Sequence, residues 1–256
     1  MLPEILQPLE HILEGFLIEE ITIGQSGAGV WRTTRDSTHW FVKAQKNTVE
    51  LEIEANKIRW FAVQNLQVPN LIDYFNLNNT AFLITEALKG TDASQTSNPK
   101  ATTIALAHCL HHLHNLEIKN CPFDRTLNTT LELAKQNLIK GLVDETDFDP
   151  VRFGTSAFLV YQQLLEKRPK FEDLVLTHGD FCLPNIILEQ NKVTGLIDLG
   201  RAGVADRYQD IALILRSLTS ELNPEFNDCR DIFAQEYGID LETDKLEYYQ
   251  MLDEFF

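Results

Sequence analysis

The segment THGDFCLPN (177–185) places His178, Gly179 and Asp180 together and sets Asn185 five positions beyond the aspartate. Eighteen residues past Asp180, the tetrapeptide IDLG supplies Asp198. Phosphoryl transfer from a nucleotide asks for little covalent chemistry from a protein. It needs metal ions to neutralise phosphate charge and a carboxylate to orient the attacking hydroxyl. Mg2+ takes oxygen ligands, commonly one or two from protein and the rest from phosphates and water. Asn185 and Asp198 offer two such oxygens, which leaves Asp180 to face a substrate hydroxyl. His-Gly-Asp alone is ordinary turn chemistry. The full H-G-D-x-x-x-x-N and I-D-x-G pattern, flanked by strand-like runs, is far more specific.

Other residues join this chemistry with weaker signals. Lys43 lies inside the apolar run WFVKA, where a lysine is costly without a partner for its charge. Nucleotide phosphates would be such a partner, and an acid on the next predicted helix, Glu54 or Glu52, could hold the ammonium; a snorkelling edge-strand lysine is the plainer alternative. GQSGAGVW (24–31) sets Gly24, Gly27 and Gly29 between strand-like runs, so backbone N–H groups could approach phosphate, although a plain β-turn explains them too. His108, His111, His112 and His114 crowd one predicted helix without an H-E-x-x-H pattern or a nearby cysteine pair, which favours helix-surface or interhelical packing over a metal site. Cys182 sits within the loop, but the Asp/Asn/Asp pattern explains that loop without a thiolate.

These groups need elements to position them. Residues 16–24, 29–35 and 39–45 read as strands, and 49–65 as a helix with Leu51, Ala55, Ile58 and Ala62 at three- and four-residue spacing. Runs 71–77 and 80–88 flank Asn-Asn, which suits a tight hairpin. The polar stretch 89–100 reads as a joint. Beyond it the pattern predicts helices over 100–117, with Ile104, Ala107, Leu110, Leu113 and Leu116 on one stripe, and over 126–140 and 154–167. A strand then leads into the His-Gly-Asp loop, NIILE and VTGLIDLG form a hairpin around QNK, and 206–218 and two acidic helices follow. A β-rich front with one helix and a helical back make an α+β fold in two lobes, 1–88 and 89–256.

At 256 residues, with 44% hydrophobic and 23% charged residues, the chain is long enough for a real core and reads as globular. Its first residues lack the basic and unbroken apolar regions of a signal peptide, and no run approaches the roughly 18 apolar residues of a membrane span. The four cysteines are dispersed, as expected for reduced thiols in the cytoplasm. The net charge of −16 argues against nucleic acid or anionic membrane as a partner and for a polycation. Residues 221–256 carry 11 acids and 2 bases, a local net of 2 − 11 = −9. The plainer alternative is acidic surface that keeps the protein soluble. DETDFD (144–149) and the terminal MLDEFF are further acidic groups, and the two phenylalanines of the latter could anchor the tail and aim Asp253, Glu254 and the carboxylate of Phe256.

THGDFCLPNIILEQNKVTGLIDLGRAGVADRYQDIAL together with YYQMLDEFF closely resembles the aminoglycoside 3′-phosphotransferases, and the likeness runs from GQSGAGVW to the last residue. The resemblance implies a protein-kinase-like fold with nucleotide in the cleft between lobes, and ATP and Mg2+ as cofactors. Asp180 would be the catalytic aspartate, with Asn185 and Asp198 as metal ligands. Lys43 would contact the α- and β-phosphates, with Glu54, favoured over Glu52, as its ion-pair partner. Ser26 would lie over the phosphates and Phe41 would stack on adenine. Asp147, Asp149, Glu221, Asp253, Glu254 and Phe256 would line the drug pocket, and Arg201 would help hold its acidic wall. The expected reaction is phosphorylation of the 3′-hydroxyl of a kanamycin-like aminoglycoside by a monomer or weak dimer, conferring resistance. The alternatives are a kinase for another small alcohol on the same scaffold, and a non-catalytic nucleotide- or drug-binding module; an intact Lys43, Asp180, Asn185 and Asp198 set argues against the second.

Overall fold

The computed structural model describes residues 2–21 and 27–256. By internal contacts the chain divides into two compact units: Met1–Gly90 with Ile187–Glu189 and Thr194–Gly200, and Thr91–Ile186 with Gln190–Val193 and Arg201–Phe256.

The first unit is built on an antiparallel sheet of β1 (Leu17–Ile21), β2 (Gly29–Arg35), β3 (Thr38–Lys46), β4 (Leu71–Leu77) and β5 (Thr80–Glu86), in the order β1-β2-β3-β5-β4. Side chains alternate across a strand. On β3, Val42 and Ala44 therefore face one side, where they pack with Trp31, Phe82, Ile84 and the N-terminal residues Leu6, Leu9 and Leu13. Phe41 and Lys43 point to the other side, which α1 (Glu50–Val63) covers. Each fully buried Phe or Ile contributes roughly 1.5–3 kcal/mol of transfer free energy, so this layer holds β3 firmly beneath Lys43. The hairpin expected at Asn-Asn forms: Asn78 and Asn79 have φ of 52° and 60°, and Leu77 pairs with Thr80. Positive φ at both central residues matches the right-handed strand twist, and asparagine tolerates it.

The second unit begins with β6 (Thr91–Asp92) and is mainly helical: α2 (Pro99–His114), α3 (Leu127–Lys140), α4 (Ala157–Glu166), then α5 (Tyr208–Leu218), α6 (Arg230–Tyr237) and α7 (Thr243–Asp253) after the remaining strands. Local chemistry sets several ends. The Asn98 side chain accepts from the Ala101 N–H at 3.2 Å with Pro99 next, and Ser156 caps α4. Left-handed Gly141 and Gly238 stop α3 and α6. The α4 cap explains why the helix starts at Ala157 rather than at 154. Strand β7 (Leu174–Thr177) pairs antiparallel with β10 (Gly203–Asp206), and the catalytic-loop candidates follow directly from β7. Strands β8 (Ile186–Glu189) and β9 (Lys192–Leu196), most of whose residues belong to the first unit, form the expected hairpin, turning on Gln190 and Asn191 rather than on three residues. The β-rich first part with one α-helix and the helical second part are the α+β arrangement expected. Among the described residues no helix is long and apolar enough to cross a membrane.

Candidate active site

Lys43 Nζ donates to both oxygens of Glu54, at 2.8 and 3.0 Å, and lies 3.3 Å from Asp198 Oδ1. Helical spacing leaves Glu52 exposed and buries Glu54, which settles the choice between them. Burial would lower the Lys43 pKa, but the Glu54 and Asp198 carboxylates outweigh it and hold the ammonium above the ordinary lysine value. Burial lifts the Glu54 carboxyl, the Lys43 ammonium opposes it, and the Asp198 charge adds to the lift. One ammonium is thus shared by two carboxylates, and the buried Lys57 ammonium adds its pull on Glu54. Asp198 itself sits at φ 61° in a turn that buried Lys57, 3% exposed, grips by donating to the Gly200 carbonyl at 2.7 Å. Lys57 was not singled out in the sequence; the signal was a second lysine on the buried face of α1, three residues from Glu54. Phe41, half-buried, shares the Lys43 face of β3. Ser26 and Gly24 lie outside the described residues. Gly29 has a packing reason of its own, since a Cβ there would run into the Trp31 ring.

In the second unit, β7 delivers His178, Gly179 and Asp180 to a tightly held loop. Gly179 has φ +83°, and a Cβ would strike the Arg201 carbonyl, so only glycine fits. Asp210, fully buried on α5, accepts from the N–H groups of His178 and Gly179, each at 2.7 Å. Gln209 donates to the Gly179 carbonyl at 3.3 Å, and the Asp180 N–H donates to His178 Nδ1 at 3.2 Å. A 3-10 turn at Leu183–Asn185 returns Asn185 to Asp180: its Nδ2 donates to the Asp180 carbonyl at 3.0 Å and to Oδ2 at 2.9 Å. Both partners are acceptors, so the amide must present nitrogen to them, and its oxygen is not used in these two bonds. Burial, followed by the Asp180 charge, pushes the Cys182 thiol well above its ordinary value, which removes it as a thiolate nucleophile. Among the described residues no three His, Cys, Asp or Glu side chains form a metal cage, and Mg2+ held largely by phosphate and water needs none.

The acids expected around a drug pocket are not a bare wall. Asp253 is held by both Arg201 and Arg216. Burial alone would raise its pKa, yet those two guanidiniums keep Asp253 below the usual carboxylate range. Arg152 bridges Asp149 at 2.6 Å and Glu254 at 2.5 Å, and Arg216 lies 3.5 Å from Asp149. Phe255 is buried and its carbonyl accepts from Asn137 at 2.8 Å. Phe256 is 40% exposed, its ring 5.4 Å from the guanidinium carbons of Arg201 and Arg125. Burial, reinforced by Arg201, pushes Arg125 down to about 10. Thus one terminal phenylalanine anchors the tail and the other lies on arginines. Asp147 is exposed. Glu221 is exposed after α5 and makes no ion pair or hydrogen bond with the described residues. The sequence reading missed Arg152 and Arg216, and a count of charge along the chain holds no signal for them.

A sequence profile of the phosphotransferase enzyme family matches residues 17–247. An aminoglycoside 3′-phosphotransferase of Niallia circulans is 37% identical over 259 residues, covering 96% of this chain and 97% of that one. One from Streptomyces ribosidificus is 36% identical, covering 91% and 93%. The crystal structure of an aminoglycoside-3′-phosphotransferase of type VIII superposes with a TM-score of 0.91 at 37% identity, covering 99% of this chain and 98% of that one. A Streptomyces rimosus aminoglycoside phosphotransferase solved with ADP and streptomycin matches with a TM-score of 0.82 at 26% identity, covering 96% and 95%. The chain belongs to the phosphotransferase enzyme family and, within it, to the aminoglycoside 3′-phosphotransferases.

Proposed function

We infer that this protein is an ATP-dependent kinase that phosphorylates the 3′-hydroxyl of an aminoglycoside antibiotic and so inactivates it. The observation that carries this reading is the Asp180–Asn185 pair on a loop whose backbone is pinned by Asp210. Residues 1–88 serve as the nucleotide-binding lobe and 89–256 carry the catalytic loop and drug pocket. Lys43, held by Glu54, binds the α- and β-phosphates, and Phe41 and Ser26 serve the adenine and the phosphates. Asp198 and Asn185 are the residues that would each offer an oxygen to Mg2+, which when bound would offset phosphate charge. Asn185 anchors Asp180 Oδ2, so Oδ1 remains to orient the acceptor hydroxyl and take its proton. Asp149, Asp253, Glu254 and Phe256 meet the drug, with Asp147 and Glu221 at its approach and Arg201 fixing Asp253.

A coupled ADP-release assay over kanamycin-like drugs tests this. Drugs with a 3′-hydroxyl should turn over, and 3′-deoxy analogues should not. Asp180→Asn should lose roughly 100- to 10,000-fold in kcat while keeping nucleotide affinity. Turnover of the 3′-deoxy compounds, or wild-type kcat in the variant, would overturn the assignment.

A further inference from the structure

Helix α2 carries four histidines near its end, and the last of them, His114, is buried with a side chain 1% exposed. Its partners dictate its state. Asp210 only accepts, so the His114 Nε2 lying 3.1 Å from Asp210 Oδ2 carries the proton. Nδ1 then accepts from the Tyr237 hydroxyl at 2.7 Å, and that oxygen accepts from Arg207 Nη1 at 2.8 Å. Every donor in this line meets an acceptor when the ring is neutral. Burial pushes His114 below the ordinary histidine value while Asp210 pulls the other way, in keeping with that neutral form.

The line ends at the catalytic loop. The two oxygens of Asp210 accept the consecutive N–H groups of His178 and Gly179. Those peptide planes set the exit direction of Asp180. A buried carboxylate whose donors come from α2 and from the loop is held from two sides; without the α2 donor only the two loop N–H groups orient it.

We propose that His114 is a positioning residue for phosphoryl transfer: its Nε2–H fixes the Asp210 carboxylate, which holds the His178–Gly179 backbone and thereby the aim of Asp180. This rests on Asp180 meeting the acceptor hydroxyl. Asp180 acts on the reacting hydroxyl, so the effect belongs in kcat and not in either KM.

The test is steady-state kinetics of the full chain with ATP and kanamycin, with active fraction measured by ADP binding and folding by thermal melts. In His114→Gln the amide nitrogen reaches the place of Nε2; in His114→Asn it reaches only that of Nδ1. Gln should stay within about 5-fold of wild-type kcat, and Asn should fall roughly 30- to 100-fold with both KM values within about 3-fold. Tyr237→Phe keeps the ring but removes the donor to Nδ1, and should lose about 3- to 10-fold in kcat. Equal losses in Gln and Asn after correction for active fraction, a loss confined to KM, or wild-type kcat in Asn or in Tyr237→Phe overturns the proposal. Asp180→Asn measured in parallel separates the failures. If it keeps kcat, the reading of Asp180 fails as well; if it is silent while His114→Asn is unaffected, only the role of His114 fails.

Discussion

In the first unit one lysine, Lys43, faces two carboxylates, Glu54 and Asp198. In the second, three arginines, Arg152, Arg201 and Arg216, face three carboxylates, Asp149, Asp253 and Glu254. The first set puts two carboxylates on one directly bonded ammonium, with Lys57 adding a second positive charge that acts on Glu54. The second is balanced before any drug arrives. Its arginines hold the carboxylates in fixed orientations, so on the proposed reading they would offer a bound ammonium group preorganised acceptors more than surplus charge. The acidity of residues 221–256 therefore overstates the local field, because all three arginines come from outside that stretch.

Of changes to the two charge sets, removing the lysine should have the largest effect. Lys43→Met leaves Glu54 and Asp198 facing each other and takes away the group assigned to phosphate. kcat/KM for ATP should fall roughly 100- to 1,000-fold, while the aminoglycoside KM stays near wild type, because the arginine-paired acids are untouched. Kinetics with each substrate varied in turn check this. An unchanged ATP KM together with a raised drug KM would reverse the roles given to the two charge sets.

What the sequence made legible was local. Asn78–Asn79 and the α1 periodicity are patterns of adjacent residues; the hairpin formed as expected, and the α1 stripe holds at Leu51, Ala55 and Ile58 but passes to Phe61, leaving Ala62 exposed. The Asp180–Asn185 bond closes within five residues, so its spacing carried its geometry. Links between distant segments were not legible. Asp210 reaches the loop across about thirty residues, and Arg152 reaches Glu254 across 102. Strand β10 is only four residues long and is defined by its partner β7 rather than by its own pattern. Glu54 and Glu52 could not be separated by residue type or spacing; the family resemblance favoured Glu54, and the covered face of α1 buries it.

A smaller effect separates balance from surplus in the second unit. In Arg152→Leu, buried Glu254 loses its cation, while Asp149 keeps Arg216 at 3.5 Å. Orphaning buried charge of this kind costs about 3–5 kcal/mol, and melts at neutral pH should show it. The pH dependence has a definite sign. Burial already holds the folded Glu254 pKa above its ordinary value, against the pull of Arg152. A carboxyl raised in the folded state contributes stability at low pH and loses it as pH rises through the folded value. Removing Arg152 raises that value further, so the variant should recover much of its deficit on acidification below about pH 5. A deficit that is constant from pH 5 to 8 would mean that Arg152 acts through packing and not through charge.

The smallest expected effect is that of salt on the drug. Screening acts over about 8–10 Å at 0.1–0.15 M salt and reaches exposed charges first. Bare acids throughout the pocket would make the aminoglycoside KM climb steeply with ionic strength. With Asp149, Asp253 and Glu254 already paired, the response falls to exposed acids such as Glu221. The KM should rise by about threefold or less between 0.05 and 0.5 M salt. A tenfold rise would show that the arginines withdraw when drug binds and leave the carboxylates uncovered. No rise at all would favour a kinase of the same scaffold acting on an uncharged alcohol, because a polycation cannot approach an acidic surface without feeling the salt between them.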